Sequence, residues 1–282
     1  LNGKKPPSNN EIALVRKPLV DIVIPVYSQY KVLESCVRRL AGACQKYNWR
    51  GIIVDDASPD YETAGKEFYR TLPDNFHVIH HKENKGFAAT VNDGIIYGKA
   101  PFIVSISSDV FMHDHSLDIL IGQLEANPDI AVTSPKLLFP PNLSDAARPA
   151  GKIQHAGLVF DIAGRPQHIF MGWDDLHPFA NRVKDYNAVT GACMVIKREV
   201  LNKVGLFDLQ YNRGYFEDVD LCLRIRQAGF KIRYLPQAVG YHLVGASMAL
   251  TNGNPNFERN WQYFKLKFGS NVVFDEVLFC GA

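Results

Sequence analysis

Runs of β-branched and apolar residues recur along the chain with polar breaks between them: VDIVIPV at 20–26, GIIVDD at 51–56, HVIH at 77–80, FIVSIS at 102–107, IAVTSP at 130–135, AVTGACMVIK at 188–197 and KIRYL at 231–235. Each has the length and composition of a strand. Between them lie segments of helical period. From about residue 30 to 46, Leu33, Cys36, Val37, Leu40 and Cys44 recur at three- and four-residue steps. A short helix after residue 56 and longer ones at about 87–97, 116–126, 218–227 and 257–268 complete the set. Strand and helix in alternation predict an α/β fold, a mostly parallel central sheet with helices on both faces. Between 136 and 187 the rhythm fails: Pro140, Pro141, Pro149, Pro166 and Pro178 punctuate an irregular insert, which is expected to frame one side of a site. There is no internal repeat.

Composition narrows the classes. At 282 residues and 46% hydrophobic, the chain can bury one large core or two small ones, and one catalytic unit is the simpler expectation. Thirty-one Lys and Arg against 29 Asp and Glu leave +2, with no basic run to track a phosphate backbone, so nucleic acid is not an expected partner. Cys36, Cys44, Cys193, Cys222 and Cys280 show neither a Cys-x-x-Cys pair nor a zinc spacing and read as reduced core thiols of a cytoplasmic protein. No apolar run approaches the roughly 20 residues of a spanning helix; peripheral attachment at the inner face of a membrane stays open. The opening LNGKKPPSNN, without an initial Met, reads as a disordered leader or a cut inside a longer multidomain chain.

In a parallel sheet, ligands sit beyond the carboxyl ends of the strands, where this chain places Asp55 with Asp56 and, after another strand, Asp109. Asp55, in VDDASPD, could accept from a base N–H or a ribose hydroxyl, while Asp56, Ser58 and Asp60 serve equally as turn and cap residues. Lys85 and Gly86 precede a helix whose free N–H groups could face a diphosphate, or simply make a turn. Asp109, in ISSDV, could hold a hard cation bridging two phosphates, or cap the residues after it. Glu217, Asp218 and Asp220 open a helix. The macrodipole favours carboxylates there without any catalytic purpose, yet a helix tip opening onto a cleft also supplies an exposed base, for which Asp218 is the first choice and Glu217 the second. His242 follows a strand and a short loop. Trp173, in MGWDDLHPF with Asp174, Asp175 and His177, could offer its ring to a ligand or lie on an ordinary surface loop.

Taken in order, VDIVIPVY, VDDASPD, NKGFAATVNDGI, SSDV, TGACMVIKREVLNKVGLFD, YFEDVDLCLRIRQAG and YHLVGAS resemble the family 2 glycosyltransferases of the GT-A fold, especially their rhamnosyltransferase-like branch, over roughly residues 20 to 270. The resemblance implies an inverting transfer of a sugar from a UDP- or dTDP-linked donor to a saccharide or lipid-linked saccharide hydroxyl in cell-surface polysaccharide or glycan assembly. It implies Asp55 on the base, Asp109 and His242 on Mn²⁺ or Mg²⁺, Asp218 as general base, and Thr190, Gly191 and Ala192 along the donor sugar. Pro25, Tyr27, Asp56, Lys85, Gly86, Ser107 and Ser108 complete the expected nucleotide-sugar surface, and Trp173 and Asp220 the acceptor side. Ser107 departs from the family, which commonly has Asp or Asn there, so either a low metal affinity or a diphosphate that supplies most of the metal's ligands is expected. The expected division is a leader at 1–18, a nucleotide-sugar half at 19–135, an acceptor and base half at 136–270, and a tail at 271–282. Two rivals remain: a sugar-phosphate nucleotidyltransferase, which should carry a glycine-rich basic loop where this chain has PVYSQY, and a degenerate domain that binds without catalysing.

Overall fold

The computed structural model describes residues 19–142, 145, 147–211, 213–244 and 256–269. The expected leader, the tail and Cys280 lie outside them. In chain order the strands are β1 (Val20–Val26), β2 (Trp49–Asp55), β3 (Phe76–His80), β4 (Phe102–Ile106), β5 (Val110–Met112), β6 (Ile130–Leu138), β7 (Ile153–His155), β8 (Leu158–Phe160), β9 (Pro166–His168), β10 (Lys184–Tyr186), β11 (Cys193–Lys197) and β12 (Lys231–His242). The helices are α1 (Tyr30–Ala43), α2 (Lys66–Tyr69, entered through a π-helical turn at Tyr61–Gly65), α3 (Phe87–Tyr97), α4 (Ser116–Ala126), α5 (Arg198–Val204), α6 (Glu217–Gln227) and α7 (Phe257–Phe268).

β3, β2, β1 and β4 run parallel in that spatial order, and the alternation of side chains assigns the two faces. Ile22 and Ile24 of β1 join Leu33, Cys36 and Leu40 of α1 and Leu120 and Leu124 of α4 in one core. Val23 points the other way, into a second core with Val91 and Ile95 of α3, Leu221 and Ile225 of α6, and Trp261 and Phe264 of α7. These side chains are almost wholly buried, each worth roughly 1.5–3 kcal/mol against exposure. Such strands, covered on both faces, read as continuous apolar runs.

The sheet continues as β4, β11, β6, β12, β10, with β11 antiparallel to both its neighbours and β12 parallel to β6. Three expectations change here. The stretch 188–197 is strand only from Cys193; Ala188 makes an isolated bridge with Leu158 and residues 189–192 form a loop. His242 does not follow a loop but ends β12, which breaks register between Leu235 and Val239 and then pairs His242 with Val110 of β5. The proline-rich insert is not irregular: β7 pairs with β6, β8 with β9, and β10 with β12. Its prolines fall between or at the edge of these three-residue strands, where no ladder N–H is missed.

Cys36, Cys44, Cys193 and Cys222 are free and buried. Burial pushes the thiols of Cys44, Cys193 and Cys222 up to about 12, so they stay protonated at neutral pH. Among the described residues no helix is long and apolar enough to cross a membrane.

Candidate active site

The carboxyl ends of β1, β2 and β3 form one wall. Register aligns Val26 with Asp55 and Asp55 with His80, and Pro25 and Tyr27, both half-buried, sit at the β1 end. Asp55 is fully buried, and its oxygens take four donors: Tyr69 OH at 2.6 Å, Tyr30 OH at 2.8 Å, Ser58 N–H at 2.9 Å and His80 Nδ1 at 3.3 Å. A carboxylate offers about four lone-pair sites, so a nucleobase N–H reaches Asp55 only by replacing one of these, and the contact with His80 is the longest. The His80 ring stacks on Tyr61, centroids 3.5 Å apart. Beside this wall lies a recess of ≈ 530 Å³ lined by His80, His81, Lys82, Glu83 and Lys85.

Asp56 closes the neighbouring turn. It accepts from the backbone N–H groups of Lys85 (2.8 Å) and Gly86 (2.9 Å), and His81 bridges it to Asp93. These two amides, just ahead of α3, are thus held by Asp56. Lys85 Nζ pairs with Asp93 at 3.0 Å. Gly86 has φ +83°, and a Cβ there would stand 3.1 Å from the backbone of Arg213, so the loop before α6 packs directly on this turn.

Asp109 and His242, 133 positions apart in the chain, face each other because β5 pairs with the end of β12. Asp109 Oδ1 and His242 Nε2 are 3.5 Å apart, both side chains nearly buried. Two donors about 2.1 Å from one Mg²⁺- or Mn²⁺-sized ion at right angles stand about 3 Å apart, so an oxygen and an imidazole nitrogen at this spacing suit such a cation. Among the described residues no three His, Cys, Asp or Glu side chains converge as ligands. Burial holds His168 down at about 4 and His155 well below the usual histidine value, so the neighbouring imidazoles are neutral and do not repel a cation.

The loop from Thr190 to Ala192 connects this pair to the tip of α6. Ser107 N–H donates to Ala192 C=O at 2.8 Å, and Gly191 N–H donates to Asp218 Oδ2 at 2.7 Å. Gly191 is needed for the approach, since a Cβ would lie 3.1 Å from Asp218 Cβ. Ser108 and Thr190 are buried and Ser107 and Ala192 half-buried along the same line. Asp218 is half-buried, and Val219 N–H donates to its Oδ1 at 2.8 Å. Burial raises its carboxyl above the ordinary aspartate value against the pull of the Gly191 and Val219 amides. Glu217 is 6% exposed and its Oε2 has no hydrogen-bond partner among the described residues. Burial and the adjacent Asp218 charge hold it well above the usual range.

On the acceptor side the two expected residues part company. Asp220 points into the protein, fully buried, and binds Tyr211 OH (3.0 Å), Arg224 Nε (2.6 Å) and Lys267 Nζ (2.6 Å). It locks α6 to α7 and is not available to an acceptor, because it lies two positions from Asp218 on a helix and therefore faces away. Trp173 is 42% exposed, with its ring against His177 (4.5 Å) and Phe170 (5.4 Å). Its carbonyl accepts from Ile153 N–H at 3.0 Å, next along β7 to Gln154, whose side chain meets His242. Asp174 pairs with Lys152 and Asp175 with Lys136.

The sequence profile of glycosyl transferase family 2 matches residues 21–205. The chain belongs to that family. Among curated relatives of this family 2 member, it is 28% identical over 223 residues to a pre-mycofactocin glycosyltransferase of Mycobacterium tuberculosis, covering 79% of this chain and 42% of the relative. It is 24% identical over 236 residues to the O-antigen biosynthesis protein RfbC of Myxococcus xanthus, covering 82% and 18%. The chain thus spans less than half the length of these relatives. A mannosyltransferase of Pyrobaculum calidifontis, solved with GDP-Man and Mn²⁺, superposes with a TM-score of 0.59 at 18% identity, over 82% of this chain and 58% of that one. That likeness establishes the GT-A fold.

Two residues of this family 2 site escaped sequence reasoning. His80 is the last residue of β3, and its place beside Asp55 follows from strand register alone. Gln154 lies in the proline-rich insert, where nothing in the local sequence marks it.

Proposed function

We propose that this chain is the catalytic domain of an inverting glycosyltransferase, which moves one sugar from a nucleoside diphosphate carrier to a saccharide hydroxyl. The observation that carries the reading is the line Asp109, Ser107, Ala192, Gly191, Asp218: two backbone hydrogen bonds of the 190–192 loop connect a residue suited to a cation with a partly exposed carboxylate at a helix tip. A donor sugar lying along that loop would present its diphosphate to Asp109 and His242 and its anomeric carbon toward Asp218.

Asp218 takes the proton of the acceptor hydroxyl as that oxygen attacks the anomeric carbon from the face opposite the diphosphate. The carbon–oxygen bond to the carrier breaks in the same step, and the configuration inverts. A raised carboxyl suits a base that must hold the proton once it has it. Mn²⁺ or Mg²⁺, held by Asp109 and His242, would neutralise charge developing on the leaving diphosphate. The nucleobase enters the recess at His80 and Tyr61, its N–H replacing His80 on Asp55, with Lys82 and Lys85 on the rim. Trp173 offers an aromatic face to the acceptor. Support for a glycan product comes from the likeness to an O-antigen biosynthesis protein, and for the divalent ion from the mannosyltransferase solved with Mn²⁺. UDP- and dTDP-sugars are the proposed donors.

Thermal-shift measurements with a panel of nucleotide sugars, with and without Mn²⁺, test this, since a ligand that binds only the native state raises apparent stability. A donor that raises Tm only when Mn²⁺ is present, and leaks free sugar on incubation, is the expected result. No shift with any donor, or pyrophosphate release from a nucleoside triphosphate and a sugar phosphate, would replace the reading.

A further inference from the structure

A neutral imidazole carries one lone pair, and the hydrogen bond made by its other nitrogen decides where that pair sits. His242 has Nε2 3.5 Å from Asp109 Oδ1 and Nδ1 3.0 Å from the amide oxygen Oε1 of Gln154. An amide oxygen only accepts, so Nδ1 bears a proton, and in the neutral ring that leaves the lone pair on Nε2, the nitrogen facing Asp109. We propose that Gln154 is a positioning residue that holds His242 in the Nδ1–H tautomer and so keeps Nε2 available to a divalent cation beside Asp109. The inference rests on the reading of Asp109 and His242 as metal ligands.

The frame around Gln154 is built to hold it still. Its side chain is 5% exposed, so water does not compete for the contact. β7 is fixed on one side by pairing with β6 through Leu137 with His155 and Leu138 with Ile153. On the other side, Ile153 N–H donates to Trp173 C=O at 3.0 Å and Ile153 C=O accepts from Gly172 N–H at 2.8 Å. Gln154 therefore cannot slide along the strand without breaking both margins.

The next residue shows the same control of proton direction. Ser134 Oγ donates to Cys193 C=O at 3.2 Å, so His155 Nε2, 3.4 Å away, donates to Ser134, and His155 Nδ1 accepts from His168 Nδ1 at 3.1 Å. His155 and His168 are thus each committed to one tautomer by a specific partner.

The test uses Gln154→Met, which keeps the volume and loses the carbonyl, Gln154→Glu, which keeps an acceptor, and His242→Ala. Mn²⁺ affinity is read by electron paramagnetic resonance of the free ion in the presence of UDP, and the His242 tautomer by ¹⁵N chemical shifts in the metal-free protein. Metal-free parent protein should show His242 as Nδ1–H. Gln154→Met should mix the tautomers and weaken Mn²⁺ binding about 10- to 100-fold, and Gln154→Glu should restore both readouts. An Nε2–H parent, or parent-like Mn²⁺ binding in Gln154→Met while His242→Ala loses it, overturns the role of Gln154 and leaves the metal site standing. Undiminished binding in His242→Ala overturns the metal site and this inference with it. Should Gln154→Met fail to fold, the parent spectrum decides alone.

Discussion

The backbone N–H of Gly191 donates to the carboxylate of Asp218 at 2.7 Å, and through this contact a loop that ends at β11 sets the position of the α6 tip. Because Gly191 has no side chain, the two backbones approach closely enough for the bond to form, with 3.1 Å between the place a Cβ would take and Asp218 Cβ. The proposed base is thereby oriented by the same segment that is proposed to carry the donor sugar.

Asp218→Asn should bind donor as the parent does and turn over about 10²–10⁴-fold more slowly, the usual cost of losing a general base. Steady-state kinetics with separate donor titration checks it; near-parental turnover would remove Asp218 from the role.

Gly191→Ala keeps every functional group but makes the α6 tip give way by a few tenths of an ångström. Displacement by about 1 Å can cost on the order of 10²-fold in rate, so a fall of about tenfold in kcat with a smaller change in donor affinity is expected. Equal loss in both would mean that the loop serves binding alone.

Asp109→Ala and His242→Ala should each abolish the Mn²⁺-dependent part of nucleotide binding while leaving the metal-independent part intact. Calorimetry with UDP, with and without Mn²⁺, separates the two. Variants that bind like the parent in both conditions would place the cation elsewhere.

Glu217 predicts a slope in stability with pH. Burial first, then the charge of Asp218, raises its carboxyl well above the ordinary 4.5. Across that window the folded protein keeps a proton which the unfolded chain has released, so the contribution is complete below about pH 4.5 and is lost as pH climbs toward the raised folded value. Glu217→Gln, neutral at every pH, should therefore lose less Tm than the parent between pH 4.5 and neutrality. Scanning calorimetry at matched ionic strength measures this, and parallel profiles would show that Glu217 titrates normally.

Trp173→Ala should raise acceptor KM about 2- to 10-fold with donor affinity unchanged, in line with about 0.5–1.5 kcal/mol for a lost aromatic contact. Unchanged acceptor kinetics would assign Trp173 to the local cluster with Phe170 and His177.

How much was legible depended on whether a feature is local. α3 and α4 fall on the residues their apolar period marks, 87–97 and 116–126, because a helix is made of contacts three and four residues apart. The end of β12 was not legible. KIRYL reads as a complete strand, and the extension to His242 exists only because the chain jumps register after Leu235 and finds β5 as a new partner. The strands of the 136–187 insert were missed for a similar reason: three-residue strands carry too few alternations to signal, and their pairing with β6 and β12 supplies the rest. Asp220 was misplaced because composition shows three acids at a helix start, while the helical turn sends Asp220 inward to Tyr211, Arg224 and Lys267. Asp56 shows the limit of reading a glycine turn alone, since the amides of Lys85 and Gly86 needed a partner and found a carboxylate about 30 residues earlier.

By itself, the sequence determined the α/β alternation and the two-sided burial of β1, β2 and β4, since these follow from periodicity and residue type along short stretches; the family was legible separately, as a resemblance of seven motifs in their order. The resemblance implied that Asp109, His242 and Asp218 share one site; only the tertiary structure decided how they do so, with β5 on the end of β12, the 190–192 loop between that pair and Asp218, and Gln154 behind His242. Those contacts depend on strand register and crossover, which bring together residues dozens to more than a hundred positions apart. No local pattern encodes such a meeting, because its energy comes from the packing of the whole sheet and not from the segments that touch.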